Sequence, residues 1–304
     1  MKLPAGLEVG VDTHTGRARA SNEDDFLLYA PDAAAQRDEV GTLIAVADGM
    51  GGVSGGAEAS RAAVRALLEG FVLPGAGDSA QTRLERAFGA ACRRVFQVAR
   101  AQPRLRDMGT TLTVLNINGP IAVLGHVGDS RCYLLRKGEL RQLTTDHAVR
   151  AAEHQLTRCV GAGRDAELVD IEERPVEVDD VFLLCTDGLW DALAADEVRQ
   201  TLGGAPQTAA STLVRRAVEA SGVDNATAIV VRVRSIDPPG QQSLLDVDLP
   251  AREVTRLPRL TAVLPDMRRP RWPWTLLAGA GCVAAAAAAR AWFGVDLLGL
   301  FVAG

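Results

Sequence analysis

LIAVADGMGG, residues 43–52, is an apolar run that ends on an aspartate and passes at once into glycine. Its first five residues have the composition of a buried strand, and Gly49, Gly51 and Gly52 free the backbone just beyond it. A buried strand that delivers a carboxylate, Asp48, to its end needs a physical reason, because an unpaired ion is costly to desolvate. The same pattern recurs. IAVLGHVGD (121–129) runs down an apolar strand to Asp129, and VFLLCTDGLWD (181–191) carries another to Asp187. In SGVDNATAIVVRV (221–233) the order reverses, and Asp224 stands just before the apolar run. The end of one antiparallel strand and the start of another can share a rim, so four aspartates can converge on one edge.

Converging carboxylates repel, and either protonation at a raised pKa or bound cations relieves them. An all-oxygen set without a histidine or cysteine cluster favours Mg²⁺ or Mn²⁺. A single Asp-Gly is ordinarily a turn; four strand-edge aspartates point instead to metal. Upstream, HTGRARASNEDDF (14–26) places Glu23 and Asp24 before a further strand. Arg19 lies just ahead of them, and its guanidinium fork matches a phosphate. An arginine of this kind beside a two-metal carboxylate site describes phosphoester hydrolysis by a metal-activated water.

The rest of the composition narrows the alternatives. A net charge of −5 gives no support to nucleic-acid binding. Lys2 and Lys137 are the only lysines, so Schiff-base and phosphate-loop chemistries are poorly supplied. The five cysteines are scattered, form no CxxC pair, and none is followed six positions later by arginine, which excludes a cysteine-nucleophile phosphate loop. The DxD at Asp246–Asp248 follows no buried strand, which argues against an aspartyl nucleophile. MKLPAGLEVG at the start lacks the apolar centre of a signal peptide, so the main domain is expected to be cytoplasmic.

Residues 1–235 read as one α/β domain. Strands are predicted at 7–11, 26–29, 42–47, 111–117, 121–127, 131–136, 181–185 and 226–233. Helices are predicted near 56–71, 81–101 and 207–220, the last two with apolar stripes (Leu84, Phe88, Ala91, Val95, Val98; Ala210, Leu213, Val214, Ala217, Val218). Short turns at Asn118-Gly119-Pro120 and Lys137-Gly138 pair consecutive strands, favouring antiparallel sheets. Residues 236–270 are proline-rich and read as a linker, and 271–304 as a hydrophobic tail. The uncharged run 272–289 is just long enough for a single transmembrane helix near 272–290; a tail that docks on protein is the alternative. Arg268, Arg269 and Arg271 would keep the main domain on the cytoplasmic side of the cell membrane.

The chain resembles the metal-dependent serine/threonine protein phosphatases of the type 2C class, in their bacterial form. The matching segments are RASNED (19–24), ADGMGG (47–52), GTTLTV (109–114), GHVGDSR (125–131), LTTDH (143–147), LTRCVG (156–161), CTDGLWD (185–191) and DNAT (224–227), all in the family's order. The resemblance implies a central sandwich of two antiparallel sheets flanked by helices, with two Mn²⁺ or Mg²⁺ ions at one end. Asp48, Asp187 and Asp224 would ligate them directly, joined by the Gly49 carbonyl. Glu23 and Asp24 would act mostly through water, Arg19 would bind the substrate phosphate, and Asn225 would support the site. Asp129 would share a third, more labile ion with Asp187. Implied partners are phosphorylated proteins and a cognate Ser/Thr kinase, with the membrane engaged through the tail and no nucleic acid. An inactive, membrane-tethered scaffold that binds phosphoproteins is the alternative. Two departures stand out: the 148–155 segment is short for the family, and Ala148 replaces its usual serine. His126 and His147 are candidates for proton transfer, against a plainer reading as buried supporting residues.

Overall fold

The computed structural model describes residues 2–4, 6–31, 34–73, 78–149, 155–161, 169–236 and 244–246. The expected tail helix near 272–290 and most of the proline-rich stretch lie outside the described residues. The elements, in chain order, are β1 (Lys2–Pro4), β2 (Leu7–His14), β3 (Asp24–Tyr29), α1 (Ala34–Val40), β4 (Thr42–Met50), α2 (Gly52–Val72), α3 (Ala80–Ala101), β5 (Gly109–Thr110), β6 (Leu112–Asn118), β7 (Ile121–Val127), β8 (Arg131–Arg136), β9 (Glu139–Gln142), β10 (Ala148–Val149), β11 (Gln155–Leu156), β12 (Asp170–Pro175), β13 (Val181–Cys185), α4 (Asp187–Trp190), α5 (Ala195–Thr201), α6 (Pro206–Ala220), β14 (Ala226–Val233) and β15 (Leu244–Asp246).

Two antiparallel sheets form the centre. One has the order β12-β7-β6-β4-β3, with β5 pairing β4; the other has the order β2-β14-β13-β8-β9. Alternation along each strand decides which side chains meet between them. Ile44 and Val46 of β4, Leu115 and Ile117 of β6, Phe182 and Leu184 of β13, and Ile229 and Val231 of β14 fill one buried cluster between the sheets. The intervening residues face helices: Val181, Leu183 and Cys185 pack with Leu213, Val214 and Ala217 of α6. Both faces of β4 and β13 are therefore covered, which is why their sequences are unbroken apolar runs rather than alternating ones.

The turns follow their residues. Lys137 and Gly138, at φ 51° and 82°, make the two-residue turn between β8 and β9, as a primed hairpin requires. The helix stripes match expectation except that Val98 and Val218 are only half-buried; Ala99 takes the α3 position, one turn after Val95. The strand β12 has no forerunner in the sequence reading. Asp-Ile-Glu-Glu-Arg-Pro carries no apolar alternation, as suits a charged edge strand that discourages pairing with another chain. Within the stretch expected to be a linker, Leu244–Asp246 pairs antiparallel with β1.

The other sheet's edge, β2, is closed differently. Gln207 Nε2 donates to the Val11 carbonyl at 3.0 Å, and the Val11 N–H donates to Gln207 Oε1 at 3.2 Å. The first turn of α6 approaches so closely that a Cβ on Gly10 would lie 2.3 Å from the Pro206 carbonyl and the Gln207 nitrogen, both backbone atoms. Gly10→Ala is therefore expected to lower stability by about 1–3 kcal/mol or more, read as a lower midpoint in urea unfolding. An unchanged midpoint would show that α6 can shift without cost.

Candidate metal centre

The antiparallel register brings the carboxylates to one rim. Asp24, first in β3, pairs with Asp48 near the end of β4. Asp187 opens α4 immediately beyond β13, and Asp224 lies two residues before β14, the neighbour of β13. Asp24 ties the two sheets together here. Its Oδ2 accepts hydroxyl hydrogen bonds from Thr186 at 2.9 Å and Thr227 at 2.6 Å, both from the opposite sheet's rim. Its Oδ1 is buried with no hydrogen-bond partner among the described residues.

Electrostatics follow from this crowding. Burial pushes the Asp24 carboxyl up to about 7; the two threonine hydroxyls oppose that rise, and the charges of Asp187 and Asp224 add to it. Asp48 is held well above the usual carboxylate range, first by burial and then by Asp24, Asp187 and Asp224. Glu23 is raised by burial, with Arg19 opposing and Asp224 adding. A rim whose carboxylates resist ionising together is one that gains from added positive charge.

Arg19 supplies one cation. Its Nη2 donates to Asp224 Oδ2 at 2.5 Å, while about half of the arginine side chain remains exposed. Asn225 organises the loop that carries it: Oδ1 accepts the Glu23 N–H at 2.8 Å, and Nδ2 donates to the Thr15 and Ser21 carbonyls at 2.7 and 3.1 Å. Gly49 is packed backbone to backbone. A Cβ on it would fall 2.0 Å from the Gly56 carbonyl, and a Cβ on Gly56 would meet both the Gly49 carbonyl and the Glu23 carboxylate. The Gly49 carbonyl and Glu23 thus crowd the same point.

Among the described residues no three His, Cys, Asp or Glu side chains are already closed around a single point. The donors converge without forming a finished ligand set, because Arg19 engages Asp224 and two threonines engage Asp24. The residues nonetheless fit a divalent cation. They are all hard oxygens, they raise one another's pKa values, and Asp24 Oδ1 is a buried acceptor with nothing to accept from.

Asp129 sits in the Gly128–Ser130 loop between β7 and β8, 4% exposed. That loop is held on several sides. Gly128, at φ 109°, exchanges two bonds with His147: the His147 N–H donates to its carbonyl at 2.7 Å, and its own N–H donates to Nδ1 at 3.2 Å. Nδ1 is thereby the acceptor, so Nε2 carries the proton and donates to Asp170 Oδ2 at 2.9 Å. The Ser130 and Thr111 hydroxyls share a bond of 2.7 Å, and the Trp190 indole donates to the Asp129 carbonyl at 3.0 Å.

Of the residues expected from sequence, Arg19, Glu23, Asp24, Asp48, Asp187 and Asp224 lie together, with the Gly49 backbone among them; Asp129 occupies the adjoining loop. Both histidines are buried and engaged, which accords with the plainer reading of them as supporting residues. Thr186, Thr227 and Thr111 each lie inside a segment that carries the resemblance, but their hydrogen bonds at the rim have no sequence signal of their own. Asp146 likewise lies inside such a segment, LTTDH, whereas Asp170 lies in none of them.

Comparison with known proteins bears on the family and the fold. The family model described as protein phosphatase 2C matches residues 15–220. The serine/threonine protein phosphatase PstP of Mycobacterium tuberculosis is 32% identical over 249 residues, covering 76% of this chain and 46% of PstP; the chain thus matches about half the length of that relative. The serine/threonine phosphatase stp of Listeria monocytogenes is 30% identical over 241 residues, covering 72% of this chain and 93% of that protein. Among solved structures, the catalytic domain of PstP in complex with two manganese ions superposes with a TM-score of 0.64 at 29% identity, covering 77% of this chain and all of that one. Two facing antiparallel sheets are the fold that this chain shares with that domain. The chain belongs to the protein phosphatase 2C family.

His126 gives a test of the buried network. Its Nε2 faces the Thr145 carbonyl at 3.2 Å and its Nδ1 the Thr113 hydroxyl at 2.9 Å; burial, with His147 adding, pushes its pKa down to about 4. Above pH 6.5 the ring is neutral in both folded and unfolded chains. On acidification the unfolded chain takes up a proton that the folded ring refuses until about pH 4, so stability falls. Acidification from about pH 7 to about pH 5 should cost the wild type about 2 kcal/mol more than His126→Gln, measured by denaturant unfolding at each pH. Equal losses would show that the ring is not held neutral.

Proposed function

We propose that this protein hydrolyses phosphoserine and phosphothreonine in proteins, with two Mn²⁺ or Mg²⁺ ions held at the carboxylate rim. The observation that carries the reading is the convergence of Asp24, Asp48, Asp187 and Asp224 beside a half-exposed arginine. The manganese pair in the PstP catalytic domain, a structure of the same fold, supports the choice of metal. Asp48, Asp187, Asp224 and the Gly49 carbonyl would hold the ions, with Glu23 and Asp24 acting mostly through water and Asp129 joining Asp187 at a third, more labile ion. The chemistry the ions supply when bound is activation of water at neutral pH.

The chain's own residues do the rest. Arg19 exchanges the Asp224 carboxylate for two oxygens of the substrate phosphate, a fork-to-fork contact that fixes the phosphorus at the rim. Asn225 sets where that arginine stands by bridging its loop to the start of β14. Thr186 and Thr227 hold Asp24 in a single orientation. No side-chain nucleophile is required, and three of the four described cysteines, Cys92, Cys132 and Cys185, are buried with thiols pushed up by burial.

Phosphorylated proteins and a cognate Ser/Thr kinase are the proposed partners. The run 272–290 is proposed to anchor the protein to the cell membrane with the phosphatase domain in the cytoplasm; its uncharged length and the preceding arginines support this. No helix among the described residues is long and apolar enough to cross a membrane.

Three measurements test the reading. Phosphopeptide hydrolysis is expected with Mn²⁺ and lost with chelator, and Asp187→Asn should lower kcat by about 100-fold or more. Arg19→Ala should lower kcat/KM by about 10- to 100-fold, the worth of charge-assisted bonds to phosphate. Hydrolysis that survives both chelator and Asp187→Asn would refute the two-metal reading. For the tail, the full chain should stay with membranes after carbonate washing while a chain ending at Pro265 is released; release of both would refute the anchor.

A further inference from the structure

Asp129 and Asp187 belong to different segments, a loop in one case and the first residue of a short helix in the other. Any ion they share depends on the gap between those segments. One side chain spans it. Trp190 lies three residues after Asp187, one turn along α4, and its indole Nε1–H donates at 3.0 Å to the carbonyl of Asp129 itself. A tryptophan placed only to fill space needs a partner for its N–H, but that partner need not be the backbone of a proposed metal ligand.

The ring is also braced from its face. The Arg131 guanidinium carbon lies 3.4 Å from the Trp190 ring centroid, and Arg131 is two residues past Asp129. That guanidinium has little freedom. Its Nε and Nη2 fork onto Asp146 at 2.9 and 2.6 Å, and its Nη1 donates to the Tyr133 hydroxyl at 3.0 Å. The links close a ring: Asp129 through the chain to Arg131, Arg131 by stacking to Trp190, and Trp190 by hydrogen bond back to Asp129. The chain from Trp190 to Asp187 attaches the second carboxylate to that ring.

We propose that Trp190 is a positioning residue that sets the separation of the Asp129 and Asp187 carboxylates and so the affinity of the divalent cation they share. The proposal rests on the assignment of those two residues to a third ion under Proposed function. Loss of the indole bond leaves the loop's other ties, to His147 and Thr111, in place. The expected effect is therefore a displaced carbonyl and a mis-set ligand rather than an unfolded loop. Outer partners of metal ligands are typically worth about 10- to 100-fold in affinity.

The test is Mn²⁺ titration of the full chain by electron paramagnetic resonance, with Asp129→Asn, Trp190→Phe and Arg131→Lys beside the wild type. Asp129→Asn should abolish the weakest Mn²⁺ site. Trp190→Phe keeps a ring for Arg131 but removes the N–H, and should weaken that same site about 10-fold while the tighter sites change less than about 2-fold. Arg131→Lys, which removes the fork and the flat stack, should weaken it several-fold and serves if Trp190→Phe does not fold. Unchanged weak-site affinity in the folded variants, beside loss of the site in Asp129→Asn, would overturn the positioning role. Equal weakening of every site together with a lowered thermal midpoint would also overturn it, marking Trp190 as a packing residue. Retention of all sites in Asp129→Asn would instead remove the third-ion assignment, and the proposal with it.

Discussion

Asp24 and Asp48 face each other in register across the β3–β4 pair, and burial together with Asp187 and Asp224 keeps both carboxyls from ionising freely. Holding like charges together is unfavourable, and the strands beneath must be stiff enough to resist it. The inter-sheet cluster provides that stiffness: Phe182, Leu184, Ile44, Leu115 and Ile229 are fully buried, and a close-packed interior deforms little under a local load. The site is thus a consequence of the sandwich, since neither sheet alone brings all four residues together.

Small polar residues convert that stiffness into orientation. Thr186 and Thr227 fix Asp24 from across the rim, Thr110 and Thr111 bind the Asp48 carbonyl at 2.8 and 2.9 Å, and Thr111 reaches on to Ser130. Each threonine lies at or beside the end of a strand, where a branched side chain suits the extended backbone and its hydroxyl reaches neighbouring chain. Glycine does the complementary work at Gly49 and Gly56, where any side chain would separate α2 from the rim.

Much of this was legible in the sequence, for identifiable reasons. The sequence predicts β7, β8, β13 and β14 with their observed bounds: β7 ends just before Gly128, β8 at the Lys137-Gly138 turn, β13 two residues before Asp187, and β14 begins after Asn225. The carboxylates were legible because a charge after a buried run is costly and so demands explanation. What escaped was set by tertiary partners. The strand β12 is held by the backbone of β7 and needs no apolar pattern of its own. The pairing of Arg19 with Asp224 spans 205 positions of sequence, and that of Arg131 with Asp146 joins two separate segments whose contact only the fold shows. Trp190 stood inside a recognised segment, yet only the folded chain shows which carbonyl its indole meets.

The glutamine at the start of α6 has a bearing on assembly. An open sheet edge invites a strand from another copy, because its unpaired amide and carbonyl groups are already aligned for pairing. The side-chain amide of Gln207 presents one donor and one acceptor at the spacing of a peptide group and occupies both groups of Val11. A single side chain therefore imitates one link of an additional strand, and an incoming chain would have to displace it before a ladder could pass that point. The ordering of one long side chain guards this stretch of the edge, at a cost of up to about 2 kcal/mol in rotamer entropy.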